Sequence, residues 1–183
     1  MPDLQLHFVV AKLLDHGRKT VRGHGYSCHV CVLRPRSRGT VRLRSADPLT
    51  LPAVDPNFLA DADDLQRTVR GVQIVRRILA QPALARHGAR ELPASAAAQT
   101  SEQIADWVRQ YADTIYHPVG TCRMGPGPQD VVDHQLRVHG VQGLRVVDAS
   151  IFPRITSGNT NAPCIMLGEK AAHMVLAEAQ RWA

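Results

Sequence analysis

His117 lies in the stretch IYHPVGTCRMG (Ile115 to Gly125), where an imidazole is followed at once by Pro118 and a loop carries Gly120, Cys122 and Gly125. Imidazole exchanges a proton near neutral pH, so a rigidly held one can take the proton of a hydroxyl as a general base. Pro118 restricts the backbone beside it, Gly120 permits close approach and the Tyr116 ring precedes it. Helix ends also carry histidine for the sake of the dipole, so the residue types alone leave both uses open.

A second group is Gly158-Asn159-Thr160-Asn161-Ala162-Pro163, a polar loop that feeds an apolar segment with proline near its start. Amides at a helix N-terminus bind anions, with the positive end of the dipole aimed at whatever docks there, although a capped turn has the same composition. Cys28-His29-Val30-Cys31 has the spacing of a metal or redox pair, but residues three apart in an extended strand point to opposite faces. No second pair of ligands stands at zinc spacing, so no metal is expected. His7, His16, His87, His134 and His173 form no cluster along the chain.

The elements that must position these groups follow from periodicity. Residues 26–45 hold two β-rich runs around a Pro/Ser/Gly turn, the second alternating Val41 and Leu43 with Arg42 and Arg44, which predicts a hairpin whose second strand is half-buried. Residues 61–81 begin acidic, end basic and space Leu65, Val69, Val72, Ile78 and Leu79 as an amphipathic helix. A small-residue connector leads to a second helix from Thr100, where Thr100 and Gln103 make a capping box and Ile104, Trp107, Val108, Tyr111 and Ile115 share one face. Pro118 stops that helix near His117. Leu144 to Val147, ending in Asp148, reads as a strand, and a terminal helix follows Pro163.

The 183 residues suit one ordinary domain or two small lobes, and 44% hydrophobic with 21% charged residues is a soluble globular composition. No run approaches the roughly 20 apolar residues of a membrane span, and no basic segment precedes the short N-terminal apolar patch. A cytoplasmic protein is expected, with peripheral membrane association left open. Four cysteines do not make a disulfide scaffold, which fits a reducing compartment. The formal charge of +6 owes much to the arginines between Arg34 and Arg44, so a basic nucleic-acid-binding module is a rival reading. Only 4% of residues are aromatic, too few for base stacking on the strands, and nucleic acid is not the expected partner.

Taken together, YHPVGTCRMG, GLRVVDASIFP and SGNTNAPCIMLGEKAA resemble, in order, the C-terminal part of the glucose–methanol–choline (GMC) oxidoreductases, flavoproteins that oxidise alcohols. The nearest likeness is to choline dehydrogenase-like and alcohol dehydrogenase-like members. GHGYSCHVCVLRPRSRGTVRLRSADP and DPNFLAD resemble the substrate-binding domain of the same group. The resemblance implies an α/β fold: residues 1–115 as part of an antiparallel-sheet substrate-binding domain with packed helices, and residues 116–183 as the histidine loop plus a strand and helix returning to a Rossmann-like FAD domain.

It also implies roles. His117 matches the histidine that takes the alcohol's hydroxyl proton while hydride passes to the flavin, and Asn159 matches its partner, His or Asn in different members, which orients the substrate oxygen. Asp148 and Ala149 match a turn against the ribityl-pyrophosphate region of FAD. Thr160, Asn161 and Pro163 match the turn against the flavin pyrimidine, where the helix dipole favours the charge of reduced flavin. The family's opening G-x-G-x-x-G turn has no counterpart in this sequence. The expectation is therefore the C-terminal portion of an FAD-dependent enzyme that turns a primary alcohol or choline-like substrate into an aldehyde. It would be completed by an N-terminal FAD-binding half, covalent or separate, and without that half it would bind FAD weakly and be inactive. An inactive remnant acting only through protein contacts is the other alternative.

Overall fold

A computed structural model describes residues 1–19 and 21–180; the last three positions of the terminal segment, 181–183, lie outside the described residues. The chain divides into two compact units, one of residues 1–38 and 56–113, the other of residues 39–55 and 114–183. The fold is mixed α/β, with two-stranded antiparallel sheets and packed helices.

In the first unit, strand β1 (Leu4–Val9) pairs antiparallel with β2 (Ser27–Val32), Leu4 opposite Val32 and Phe8 opposite Cys28. Helix α1 (Ala62–Leu79) crosses this ribbon. It begins where expected because Asp61 caps it, accepting from the Asp63 amide, while Asp63 and Asp64 in the first turn and Arg76 and Arg77 in the last complement its dipole. Gly71 is the point of closest approach: a Cβ there would sit 2.5 Å from Val30 Cγ2 and 3.4 Å from Leu4 Cδ1. The helix-weakening glycine is kept because only a bare Cα lets helix and strand meet.

Two single-turn helices, α2 (Pro82–Ala85) and α3 (Pro93–Ala96), lead to α4 (Ser101–Tyr111). The expected capping box is formed, with Thr100 accepting from the Gln103 amide and Gln103 accepting from the Thr100 amide. Ile104 and Val108 of α4 close a core with Val69 of α1 and Ala98. Arg76 ties α1 to the connector, donating to the carbonyls of Ala98 and Ser95 and pairing with Glu91.

The hairpin expected over 26–45 does not form. Strand β2 pairs with β1, and the second run, β3 (Thr40–Arg42), pairs instead with β4 (Ala53–Asp55) in the second unit. The turn between the two runs is held by Asp64, only 2% exposed, whose carboxylate collects the amides of Arg36 and Ser37 at 2.7 to 3.0 Å and the Ser37 hydroxyl at 2.6 Å. These amides lie in the turn between the two runs, which is thereby fastened to the first turn of α1. Burial works against its charge, but the Ser37 hydroxyl, the Ser37 and Arg36 amides and the Arg67 guanidinium outweigh it and hold the Asp64 carboxyl below the usual range. Strand β3 is not half-buried either, since all three of its residues are exposed. Of the arginine stripe, Arg36 pairs with Asp63 and Arg38 folds onto the carbonyls of Pro35, Arg36 and Ser37.

In the second unit, Val132, Leu136, Ile151, Leu167 and Ala171 form the core. Leu167 and Ala171 come from helix α5 (Asn161–Ala179), four residues apart on one face. The strand expected over 144–147 is reduced to one antiparallel bridge, Arg145 with Arg137. A strand needs a neighbour along its length, and here a neighbouring segment meets it at one position, leaving Leu144 and Val147 exposed. Arg137 and Arg145 both pair with Glu178 near the end of α5.

Candidate functional site

Helix α4 ends at Tyr111, six residues before His117, so the second helix is shorter than its apolar face suggested. The reading of His117 as a helix-terminal histidine falls with it. The chain reaches His117 through Tyr116, whose φ of 65° is left-handed. A bulky aromatic held in that conformation is strained, and residues in such conformations cluster at functional sites.

The loop after His117 is fastened from below. Gly120 has a φ of 92°, a conformation open to glycine, and lies close enough to the Phe152 carbonyl that a Cβ would be 3.4 Å from its oxygen. The amides of Cys122 and Met124 then donate to the carbonyls of Ser150 and Ile151 at 3.0 and 2.9 Å. These carbonyls belong to a 3-10 turn, Ala149–Ile151, that Asp148 opens by accepting from the Ser150 amide at 2.7 Å. Ile151 is buried in the core, so the turn that carries Asp148 and Ala149 is also the platform of the histidine loop. Arg123 adds a link to Asp130, whose carboxyl it holds below the usual range together with the Gly127 amide.

Asn159 and Thr160 arrive from the other side, at the start of α5. Asn159 Nδ2 lies 2.8 Å from His117 Nε2, and Thr160 Oγ1 lies 3.0 Å from His117 Nδ1. Both ring nitrogens thus meet a polar side chain from one dipeptide. His117 is half-buried, Thr160 is buried at 8% exposure and Asn159 is exposed, so the pair opens outward at Nε2. Asn161 and Pro163 occupy the first turn of α5, next to this pair. The structure therefore brings His117, Asn159 and Thr160 into contact and places Asp148 and Ala149 one layer below, joined through backbone hydrogen bonds. The Thr160 hydroxyl contact was not foreseen: no local spacing relates side chains 43 residues apart.

The donor set also fits a flavin edge. Thr160 makes no side-chain cap on α5, and Asn161 and Ala162 are exposed, so the N-terminal end of a 19-residue helix presents its amides uncapped by the N-cap side chain. Ser150 Oγ, in the turn beneath, is buried without a hydrogen-bond partner among the described residues. An uncapped helix start and a spare hydroxyl suit a group rich in acceptor oxygens and nitrogens.

Elsewhere the chemistry is muted. Cys28 and Cys31 are free, sit on β2 three residues apart, and burial pushes both thiols up, with the Gln5 backbone opposing this at Cys31. Asp61, Asp63 and Asp64 lie within 4.8 Å of one another, but their oxygens serve the α1 cap, Arg67 and the Arg36–Ser37 amides. No helix among the described residues is long and apolar enough to cross a membrane.

The family model described as GMC oxidoreductase matches residues 35–168. Over 175 residues the chain is 47% identical to the alcohol dehydrogenase [acceptor] of Pseudomonas putida, covering 96% of this chain and 32% of that protein. Over 174 residues it is 45% identical to the oxygen-dependent choline dehydrogenase of Escherichia coli, covering 95% and 31%. Among solved structures, formate oxidase of Aspergillus oryzae, studied for its FAD modification, superposes with a TM-score of 0.85 at 28% identity, covering 100% of this chain and 33% of that one. The chain spans about a third of the length of the curated relatives it matches. FAD is the cofactor of this group. With a matching C-terminal family model and fold, the chain belongs to the GMC oxidoreductase family.

Proposed function

We propose that the complete protein oxidises a primary alcohol, or a choline-like alcohol, to the aldehyde, and that His117 and Asn159 carry the proton side of that reaction. The observation that carries this reading is the 2.8 Å contact between His117 Nε2 and Asn159 Nδ2 at the outward-facing end of the pair. Oxidation of CH–OH removes a proton from oxygen and a hydride from carbon; bound FAD supplies the hydride acceptor. His117 accepts the hydroxyl proton at Nε2 and returns it to solvent between turnovers. Asn159 holds the substrate oxygen without competing for that proton, because an amide neither gains nor loses one at neutral pH. Asp148, Ala149, Thr160, Asn161 and Pro163 would line FAD, the helix start facing its pyrimidine edge.

The rest of the FAD contacts belong to an N-terminal half, covalent or separate. Residues 1–183 alone hold FAD weakly and do not turn over, consistent with the exposure of Ile165, Met166 and Leu176 on α5, apolar surface suited to burial against such a half. Free cysteines throughout accord with a cytoplasmic setting.

The test is to offer the full-length protein a series of primary alcohols and choline with an artificial electron acceptor. Aldehyde formation with flavin bleaching by at least one of them is expected; a flavin that none of them reduces would count against the reading. Stoichiometric flavin on purified residues 1–183 would refute the dependence on the other half.

A further inference from the structure

Thr160 stands at the N-cap of α5, where threonine ordinarily accepts a hydrogen bond from the amide two or three residues on; the third is Pro163, which has no N–H, so the Ala162 amide is the donor left for a cap. It makes no such bond. Thr100, at the start of α4, shows the ordinary arrangement: φ −85°, ψ 163°, hydroxyl on the Gln103 amide. Thr160 has φ −87° but ψ −4°, already helical, and its hydroxyl lies 3.0 Å from His117 Nδ1 instead. The hydroxyl is also buried with its residue, so it needs a partner, and among the described residues the imidazole is the one it has.

Resting on the reading of His117 as the base, we infer that Thr160 is a positioning residue that fixes the tautomer of His117. A neutral imidazole carries one proton, and the nitrogen without it is the one that can act as a base. The Thr160 backbone amide also points at Nδ1, at 3.4 Å, longer than the usual 2.7–3.2 Å range, and the hydroxyl at 3.0 Å is the closer of the two groups on that nitrogen. Oγ1 accepts from Nδ1–H, and the lone pair is left at Nε2, where the Asn159 amide donates in the resting state. An incoming alcohol displaces or shares that amide and meets an acceptor. The hydroxyl also holds the ring plane, which rotation about the Cβ–Cγ bond would otherwise swing off the substrate.

The experiment uses the FAD-loaded full-length protein with 15N-labelled histidine. The His117 signals, assigned by their loss in His117→Gln, are expected to show a protonated Nδ1 and an unprotonated Nε2. In Thr160→Val they should become those of a mixture of tautomers, with kcat lowered roughly 10- to 100-fold and KM for the alcohol little changed. Thr160→Ser, which keeps the hydroxyl, should restore most of the loss. A wild-type His117 protonated at Nε2, or Thr160→Val turning over like wild type, would overturn the inference. Should Thr160→Val not fold, the wild-type spectrum and Thr160→Ser still decide it. Unchanged turnover in His117→Ala would remove the base reading instead, while the nitrogen spectrum continued to report whether Thr160 sets the tautomer.

Discussion

Asn159 Nδ2 stands 2.8 Å from His117 Nε2 although 42 residues separate them in the chain. One reaches the site on a loop pinned to the Ala149–Ile151 turn, the other at the lip of α5. If Asn159 orients the substrate oxygen, Asn159→Ala lowers kcat/KM of the full-length enzyme roughly 10- to 100-fold, a loss typical of one positioning hydrogen bond near the chemistry. Asn159→His, which keeps a polar group at the same place, should lose less. Steady-state kinetics on the two variants give the comparison.

The loop itself depends on Gly120, with its φ of 92° and its close pass over the Phe152 carbonyl. Gly120→Ala is expected to cost about 1–2 kcal/mol of stability from backbone strain and to depress turnover through displacement of His117. Gly158→Ala is the control, because a Cβ there meets nothing within 4 Å; its effect on thermal stability should stay within about 0.5 kcal/mol.

In the first unit, Gly71→Ala sets two effects against each other. Alanine favours a helix by about 1 kcal/mol over glycine. The new Cβ, 2.5 Å from Val30 Cγ2, forces α1 off β2, an overpacking that costs about 1–3 kcal/mol. Net destabilisation is expected, and Val30→Ala in the same chain should be less harmful than its own effect alone suggests. Denaturant unfolding of the four proteins in that cycle measures the coupling.

Asp64 makes a pH-dependent contribution. Its folded carboxyl lies below the ordinary value, because the Ser37 and Arg36 hydrogen bonds and Arg67 outweigh burial. The stability it provides is therefore complete above the ordinary aspartate pKa of about 3.9 and is lost as pH falls through the lower folded value. Asp64→Ala removes the partner of two part-buried amides and a hydroxyl and should cost about 2–4 kcal/mol at neutral pH. The gap between wild type and variant should narrow in acid, which urea titrations across that range would display.

Elements governed by local rules were legible in the sequence. Helix α1, with its acidic start and basic end, and the Thr100–Gln103 box follow from nearest neighbours along the chain. Strand β1 was not expected, since Leu4–Val9 stood out in the sequence only as part of a short apolar patch. What pairs with what was not legible: β2 pairs with β1 rather than β3, and the turn after β2 is held by a carboxylate 27 and 28 residues away that takes the Ser37 and Arg36 amides. The same holds at the site. His117 and Asn159 were marked by resemblance and do lie together, but the hydroxyl of Thr160 on Nδ1 depends on ψ at one residue, which composition does not encode.

The most direct measurement is anaerobic stopped-flow bleaching of the flavin in the full-length protein and its His117→Ala variant at saturating alcohol. Removal of a general base lowers the rate of flavin reduction roughly 10²- to 10⁴-fold, and the variant should show that loss while retaining its bound FAD. A variant that binds FAD and reduces it as fast as wild type would contradict a catalytic role for His117.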